Sequence, residues 1–442
     1  MTSTSLFALL DIVDDFSWSY IGVPAILLFG VYFSFKAGWL QFLKFPKITS
    51  IFFNFLKTDT GQERRGVHPL QAFFAAVGGC IGVGNVVSVC TAVQIGGPGA
   101  IVWMWLAALL GMIVKYSEIY LAVKYRVDNK DKSYDGGPMY YLKKADPSGL
   151  LTKLFCFFMC IYGVEVYMFK LMTHSFVTTW GFDKNLVIIG LLLLILIAGK
   201  RGVESIGRIS AVLIPLFLTI FMGASAWIFA NNLQGVVNAF RLIFSSAFTG
   251  HAAVGAFAGS TLLMTVSNGM KRACYTGDIG VGYAGIIHAE SDEKSPERQA
   301  TLGIFGIFLD TFVICTLSVL LIVVTGLWKL PIHQEKLVAT ALGMYIPHVD
   351  YLWPVFVFLL GYSSLIAFFA AGKKSAKFLS RKYGERLFTL YATLAFLLFS
   401  FYGDENNMLT FMSTIGICLL IINMYGIFRL RNHISFSLKK TK

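Results

Sequence analysis

The sequence predicts an all-α polytopic membrane protein with about eleven transmembrane helices. Its 442 residues are 56% hydrophobic and only 14% charged, whereas soluble domains carry roughly 25% charged residues. Apolar runs of about 20 residues, the length that crosses a bilayer as a helix, recur along the chain. Because no separate soluble stretch interrupts them, we expect one transmembrane domain over residues 1–442.

The predicted spans follow the apolar runs. The fifth and tenth runs are short, and charged residues interrupt the seventh. The eleven runs are 18–42, 69–95, 100–122, 152–178, 185–199, 208–230, 254–289, 299–327, 350–371, 387–402 and 407–428.

Lys and Arg lie mainly in alternate connections between these runs. The positive-inside rule therefore predicts an outer N-terminus and a cytoplasmic C-terminus in the cell (inner) membrane. The net charge of +13 then reports topology and contact with the bilayer, and not a nucleic-acid partner. No basic region precedes the first run, so we expect it to be retained and not cleaved. The basic stretches are 44–65, 124–144, 200–208, 271–298, 373–386 and 429–442.

The second run has an unusual glycine cluster. Gly78, Gly79, Gly82 and Gly84 precede Asn85, and each glycine weakens a helix by about 1 kcal/mol relative to alanine. This pattern predicts a helix that opens partway, and broken helices mark binding sites in transporters. Glycines also allow close helix packing, but packing does not explain the asparagine.

Charged residues occur inside the third and fourth runs. Lys115 and Glu118 share a helix face, which fits either a functional pair or a structural ion pair. Glu165 is a candidate cavity-facing acid, with Lys170 on another face. The seven cysteines lie in or near apolar runs without metal-ligand spacing, so we interpret them as packing residues, except Cys80, which lies in the glycine-rich stretch.

Two later stretches allow two interpretations each. Residues 265–282, which include Asp278, are either a second broken helix or a cytoplasmic loop. In the ninth run, Ser363 and Ser364 either bond back to their own helical turn or contribute hydroxyl ligands to an ion site.

Several motifs, in matching order and spacing, resemble the alanine/glycine:cation symporter family of prokaryotic sodium-coupled carriers. The resemblance covers most of the chain. The motifs are Gly82-Val-Gly-Asn85, Gly96-Gly-Pro-Gly99, Trp103-Met-Trp105, Lys115-Tyr-Ser-Glu118, Lys124-Tyr-Arg126, Gly136-Gly-Pro-Met-Tyr-Tyr141, Gly199-Lys-Arg-Gly202, Ile206-Gly-Arg208, Ala247-Phe-Thr-Gly250, Lys271-Arg272 and Leu309-Asp-Thr311.

This resemblance implies a LeuT-like fold with two inverted five-helix repeats. The repeats would cover 69–230 and 254–428, with 18–42 as an extra N-terminal helix. The sequence itself shows no convincing internal repeat, so the symmetry is implied by the family alone.

The resemblance also implies sodium-coupled import of small neutral amino acids, alanine or glycine, by alternating access. No enzymatic chemistry, no cofactor and no metal other than co-transported sodium is expected. Glu165 and Asp278 are the candidate gating residues. The implied substrate-binding residues are Gly82, Val83, Gly84, Asn85, Gly269, Ser364 and Phe368. The implied sodium-binding residues are Gly78, Cys80, Ile81, Asn85, Ser363 and Ser364.

The chain departs from the family pattern at three places. Val83 replaces a common Thr, Phe368 replaces a common Trp, and the segment 276–280 reads Thr-Gly-Asp-Ile-Gly where the family usually has Ser-Asn-Glu-Ala-Gly. A proton-coupled carrier, or a carrier of another small amino acid, therefore stays open. A membrane-embedded enzyme would need a paired catalytic constellation, and a channel would need a repeated filter sequence; the sequence contains neither.

Overall fold

The computed structural model describes residues 3–57, 65–129, 133–200, 202–249, 262–402 and 405–438. The start of the seventh run, 254–261, lies outside them. The predicted all-α class is confirmed, because the only sheet within these ranges is a two-stranded antiparallel ribbon, β1 (Val127–Asp128) and β2 (Tyr134–Asp135).

Helices make up nearly all of the described chain. The first thirteen are α1 (Ser3–Ser17), α2 (Val23–Lys36), α3 (Leu40–Leu43), α4 (Phe45–Leu56), α5 (Pro69–Cys80), α6 (Ser88–Gly96), α7 (Ala100–Lys124), α8 (Pro138–Ala145), α9 (Leu150–Tyr162), α10 (Val166–Trp180), α11 (Lys184–Lys200), α12 (Gly202–Asn231) and α13 (Leu233–Thr249). The others are α14 (Leu262–Thr276), α15 (Tyr283–His288), α16 (Pro296–Ile307), α17 (Thr316–Val324), α18 (Gln334–Gly343), α19 (Val349–Leu379), α20 (Gly384–Tyr402) and α21 (Glu405–Arg429).

Short π-helical and 3₁₀ segments connect or follow some of these helices. The π-helical segments Trp18–Gly22 and Phe308–Cys315 make α1–α2 and α16–α17 continuous. The 3₁₀ segments are Val83–Asn85, Leu327–Lys329 and Arg431–His433.

The predicted bounds of the first span, 18–42, are wrong. The helix begins earlier, in α1, and ends at Lys36, and the candidate span within it is Phe7–Lys36. Gly38 follows with φ +61° and Trp39 with φ +54°, a left-handed conformation that glycine adopts at helix ends. The apolar count continued through this turn because it weighed hydropathy and missed the terminating glycine.

Length and composition support up to nine of the eleven predicted spans within the described residues. Eight helices are long and apolar enough to cross a membrane, and the pair α5 and α6, bent by 58°, is a ninth candidate. The 17-residue α11 and the interrupted pair α14 and α15 occupy the positions of the other two predicted spans, whose crossing stays a prediction.

One helix lies at the centre of the bundle. In the most apolar part of α19, 89% of the residues are buried inside the protein, against 28% in α12. The outer helices instead expose large apolar side chains such as Leu28, Leu186 and Trp227, as a surface in contact with lipid requires. The central helix carries Ser363, Ser364 and Phe368, so it brings three predicted site residues into the core.

Candidate functional site

The predicted opening of the glycine-rich span is confirmed. Helix α5 ends at Cys80, a 3₁₀ turn covers Val83–Asn85, and α6 begins at Ser88. The amide of Ile81 still donates to the Val77 carbonyl at 2.7 Å, which completes the last turn of α5. The amides of Val83 and Gly84, in contrast, have no hydrogen-bond acceptor among the described residues. The break therefore presents two free donors beside the start of α6.

Asn85 braces this break with both ends of its side chain. Its Oδ1 accepts a hydrogen bond from the Gly82 amide at 3.0 Å, and its Nδ2 donates to Oδ1 of Asp310 at 2.5 Å. The Nδ2 also lies 3.4 Å from the Cys315 sulfur. The side chain is 1% exposed, and both of its polar ends are hydrogen-bonded within the protein, so Asn85 stabilises the break. Direct binding of the ion or the substrate by Asn85 stays a prediction.

The two serines of α19 meet the broken span just before its opening. Ser363 and Ser364 donate to the Gly78 carbonyl at 3.2 and 2.9 Å. Each hydroxyl also lies within hydrogen-bond distance of the Leu360 carbonyl in its own helix. Both interpretations of these serines thus describe real contacts, since the hydroxyls touch their own turn and the Gly78 carbonyl together.

A second break lies between α14 and α15, and the alternative of a cytoplasmic loop for 265–282 is wrong. Asp278 is 3% exposed and Ile279 is fully buried, so this stretch lies inside the bundle. Asp278 has φ +45° and Gly282 has φ +96°, values that no continuing helix could hold. The chain opens here and resumes as α15.

Lys115 and Glu118 secure the two ends of this second break. The Lys115 ammonium donates to the Gly277 carbonyl at 2.6 Å and to the Cys80 sulfur at 2.9 Å. The Glu118 carboxylate accepts from the amides of Gly282 and Gly285 at 3.0 and 2.9 Å. A cation thus faces a helix C-terminus and an anion faces a helix N-terminus, which complements both dipoles. The pair does not bond to itself, so the ion-pair interpretation is wrong.

The two breaks enclose a small cavity of about 50 Å³. It brings together four of the predicted substrate residues, Gly82, Gly84, Asn85 and Phe368, with both predicted gating residues. Sequence reasoning missed most of the other lining residues, since an aromatic or Met residue in an apolar run carries no distinctive signal. These are Gly79, Ser88, Tyr162, Tyr167, Met168, Tyr275, Thr276 and Leu409, in addition to Cys80.

Two carboxyl groups line this cavity from two different helix interruptions. The hydroxyl of Tyr162 donates to Oδ1 of Asp278 at 2.9 Å. Glu165 stands at the interruption between α9 and α10 and is 6% exposed. Both carboxyl groups therefore line the cavity that the first break also lines.

One aromatic ring of the central helix, that of Phe368, also lines the cavity. The centroid of the Phe368 ring lies 4.5 Å from that of Tyr283 and 5.2 Å from that of Tyr162, which it meets edge-on. These three rings pack together where the cavity meets α15 and α9.

Three predicted residues do not line the cavity. Ser364 lies behind its wall, with its hydroxyl 2.9 Å from where a Cβ on Gly82 would stand, and Val83 is 1% exposed. The prediction that Gly269 lines the substrate pocket is wrong. It belongs to the unbroken α14, where a Cβ would lie 2.3 Å from the Ala100 carbonyl oxygen. The chain opens two turns later, at 277, so Gly269 serves contact between helices.

A larger cavity of about 560 Å³ opens at the lysine-rich end of the bundle. We call it the basic vestibule; its lining includes Val203, Glu290, Ala370, Lys373 and Lys374. Lys374 forms salt bridges with Asp135, at 2.7 Å, and with Glu290. Burial alone would raise the pKa of Asp135, but Lys374 lowers it to about 2.

Comparisons with known proteins agree with this architecture. A family model described as the sodium:alanine symporter family matches residues 3–441. An uncharacterised Haemophilus influenzae transporter is 34% identical over 373 residues, covering 80% of each chain. The uncharacterised Bacillus subtilis transporter YflA is 36% identical, covering 73% of this chain and 69% of the relative. The sodium/alanine symporter AgcS of Methanococcus maripaludis is 30% identical, covering 90% and 88%.

Solved structures support the fold. A sodium-coupled sialic acid symporter in a substrate-bound, outward-open state superposes with a TM-score of 0.52 at 16% identity, covering 96% of this chain and 87% of that one. The nucleobase-cation-symport transporter Mhp1, in a closed conformation, superposes with a TM-score of 0.50 at 14% identity, covering 80% and 75%. At these identities the likeness shows the fold alone, and it confirms the LeuT-like expectation.

Proposed function

Because the chain belongs to the sodium:alanine symporter family, we propose that it imports a small neutral amino acid together with sodium by alternating access. Alanine and glycine are the first substrates to test. The family and these relatives are transporters, so the protein is a carrier and not an enzyme. In the proposed orientation, the N-terminus is outside and the C-terminus in the cytoplasm of the cell membrane.

The observation that carries the proposal is the convergence at the first break. The Gly78 carbonyl meets the hydroxyls of Ser363 and Ser364 next to free amides at Val83 and Gly84. Hard monovalent and divalent cations prefer such oxygen ligands. Each hydroxyl can turn its proton toward the Leu360 carbonyl, which leaves its lone pairs for sodium.

The substrate would lie across the cavity with its charges matched at both ends. The free amides and the N-terminal dipole of α6 suit a carboxylate. Asp278 and Glu165 face the same cavity and suit an ammonium group. About 10–15 Å³ of such volume holds one water, so 50 Å³ favours the smallest amino acids over long side chains.

A proton-coupled carrier is the second candidate, and the paired carboxylates favour it. Glu165 and Asp278 line one small cavity, where two adjacent buried negative charges are costly. A proton on one of them would relieve that cost. In this alternative a proton, and not sodium, accompanies the substrate.

One experiment separates the two candidates. Purified protein in proteoliposomes is given labelled alanine under an inward sodium gradient, an inward proton gradient, or neither. We expect sodium to stimulate uptake at constant pH, with choline as the control cation. Stimulation by the proton gradient alone would replace sodium coupling with proton coupling, and uptake of neither alanine nor glycine would redirect the search to other small amino acids.

A further inference from the structure

Ser210 of α12 has a buried hydroxyl for which the fold supplies no partner. The residue is 0% exposed, and its Oγ has no hydrogen-bond partner among the described residues. Serines inside helices usually donate to the carbonyl four residues earlier, as Ser225 of the same helix does to Phe221 at 2.7 Å. Leaving a buried hydroxyl unpaired costs about 1–3 kcal/mol of folding free energy. A ligand that contacts the Ser210 hydroxyl would remove this cost.

This hydroxyl lies beside Gly78, in the last turn of α5 before the first break. The Ser210 Oγ lies 2.8 Å from the point where a Cβ on Gly78 would stand, and the Cβ of Ser363 lies 3.2 Å from the same point. Close packing of α12 on α5 creates this proximity, because a Cβ on Gly207 would lie only 2.5 Å from the Gln71 carbonyl oxygen. Three hydroxyls from two helices therefore surround one residue of the broken span.

We propose that Ser210 is a further sodium ligand, contributed by α12, so that three helices hold the ion. The inference rests on the proposed sodium site at Gly78, Ser363 and Ser364. A hydroxyl oxygen with free lone pairs is the ligand type that sodium takes, and binding the ion would give the buried Ser210 Oγ, unpaired among the described residues, a partner.

The same two helices also form the walls of the basic vestibule. Its lining includes 202–204 of α12 and 370–377 of α19, which lie about two turns from Ser210 and Ser364 at 1.5 Å per residue. Any motion that separates α12 from α19 at the vestibule would therefore pull Ser210 away from the serines of α19. Release of sodium into the vestibule would begin with loss of this ligand.

The test compares Ser210→Ala with Ser225→Ala, the same chemical change on the same helix at a serine that already has a partner. Thermal unfolding of the full-length protein in detergent is followed while sodium chloride replaces choline chloride, without amino acid. We expect the sodium concentration for half-maximal stabilisation to rise about tenfold in Ser210→Ala and to stay unchanged in Ser225→Ala. Without sodium, Ser210→Ala should melt at or above the wild-type temperature, because the orphan hydroxyl is gone.

Three other results would overturn the inference in distinguishable ways. If sodium stabilises wild type and Ser210→Ala with the same midpoint, Ser210 is no ligand while the proposed sodium site survives. If Ser210→Ala melts lower than wild type without sodium and keeps its midpoint, Ser210 is a packing residue. If sodium fails to stabilise even the wild type, both the sodium site and the role of Ser210 are wrong.

Discussion

The ammonium of Lys115 and the carbonyl of Gly277 are joined by a hydrogen bond of 2.6 Å. The same ammonium donates to the sulfur of Cys80, the last residue of α5. One side chain of α7 thus touches the first broken span where α5 ends and the second just after α14. The two breaks are held in a fixed relation by a cation at the helix C-termini, where the dipoles favour positive charge.

Replacing Lys115 with Met should therefore loosen both breaks. The variant keeps the apolar stem but leaves the Gly277 carbonyl buried without its donor, which costs about 1–3 kcal/mol. We expect a lower melting temperature and loss of alanine uptake. Lys382→Met, a change at an exposed lysine, is the matched control and should alter neither. Normal melting and uptake in Lys115→Met would show that the cation is dispensable.

Asn85 is the second test of the first break. Asn85→Ala removes the acceptor for the Gly82 amide and the donor to Asp310, so the turn that exposes the free amides of Val83 and Gly84 loses its brace. We expect uptake to disappear while the protein stays folded and melts at a lower temperature, consistent with about 1–3 kcal/mol.

The control for this variant is Asn231→Ala, at an exposed helix end where Nδ2 donates to the Trp227 carbonyl. It should transport normally. Uptake close to wild type in Asn85→Ala would argue that the 3₁₀ turn is stable without the asparagine and that Asn85 has no part in transport.

Sequence reasoning located the first break because glycine spacing and a following asparagine are local signals. It identified Ser363, Ser364 and Phe368 only with the help of a family resemblance, since two serines in an apolar run look the same whether or not they meet another helix. The structure adds the partner, the Gly78 carbonyl.

Other features depend on contacts between distant segments and could not be predicted from local sequence. Lys115 and Glu118 are three residues apart and resemble an ion pair, yet each finds a better partner 162 to 167 residues away. Gly269 is a glycine in a polar-interrupted apolar run, as Gly82 is, but it lies inside the unbroken α14 and packs closely against the Ala100 backbone. Ser210 shows no sequence signal at all, since its importance lies in the hydrogen bond that it lacks.

The serines of α19 provide the third prediction. Ser364→Ala removes the hydroxyl nearest the Gly78 carbonyl, at 2.9 Å, and should raise the sodium concentration that half-saturates alanine uptake by about tenfold, which corresponds to 1.4 kcal/mol. Ser318→Ala is the control, because that buried serine donates only to the Ile314 carbonyl of its own helix. An unchanged sodium dependence in Ser364→Ala would remove this residue from the ion site.

The last prediction concerns the salt bridges of Lys374 at the basic vestibule. Lys374 joins Asp135, beyond α7, to Glu290, beyond α15, so Lys374→Gln should let the vestibule open more often. The measurement is the rate at which a thiol reagent labels Val203→Cys on α12, with protein lacking that change as the background for the native cysteines. We expect a severalfold faster rate in Lys374→Gln and no change with Lys382→Gln.

The pH dependence of this contact follows from Asp135. Because the pKa of Asp135 is lowered to about 2, below its usual value near 3.9, the stability that its salt bridge contributes is complete above about pH 4. That contribution is lost only as the pH falls toward 2. In Val203→Cys protein that keeps Lys374, the labelling rate should therefore show no change due to titration of Asp135 between pH 5 and pH 8. The rate is first corrected for thiol ionisation at a reference cysteine. An equal labelling rate with and without Lys374 would mean that the salt bridges do not restrict opening and that packing keeps the vestibule closed.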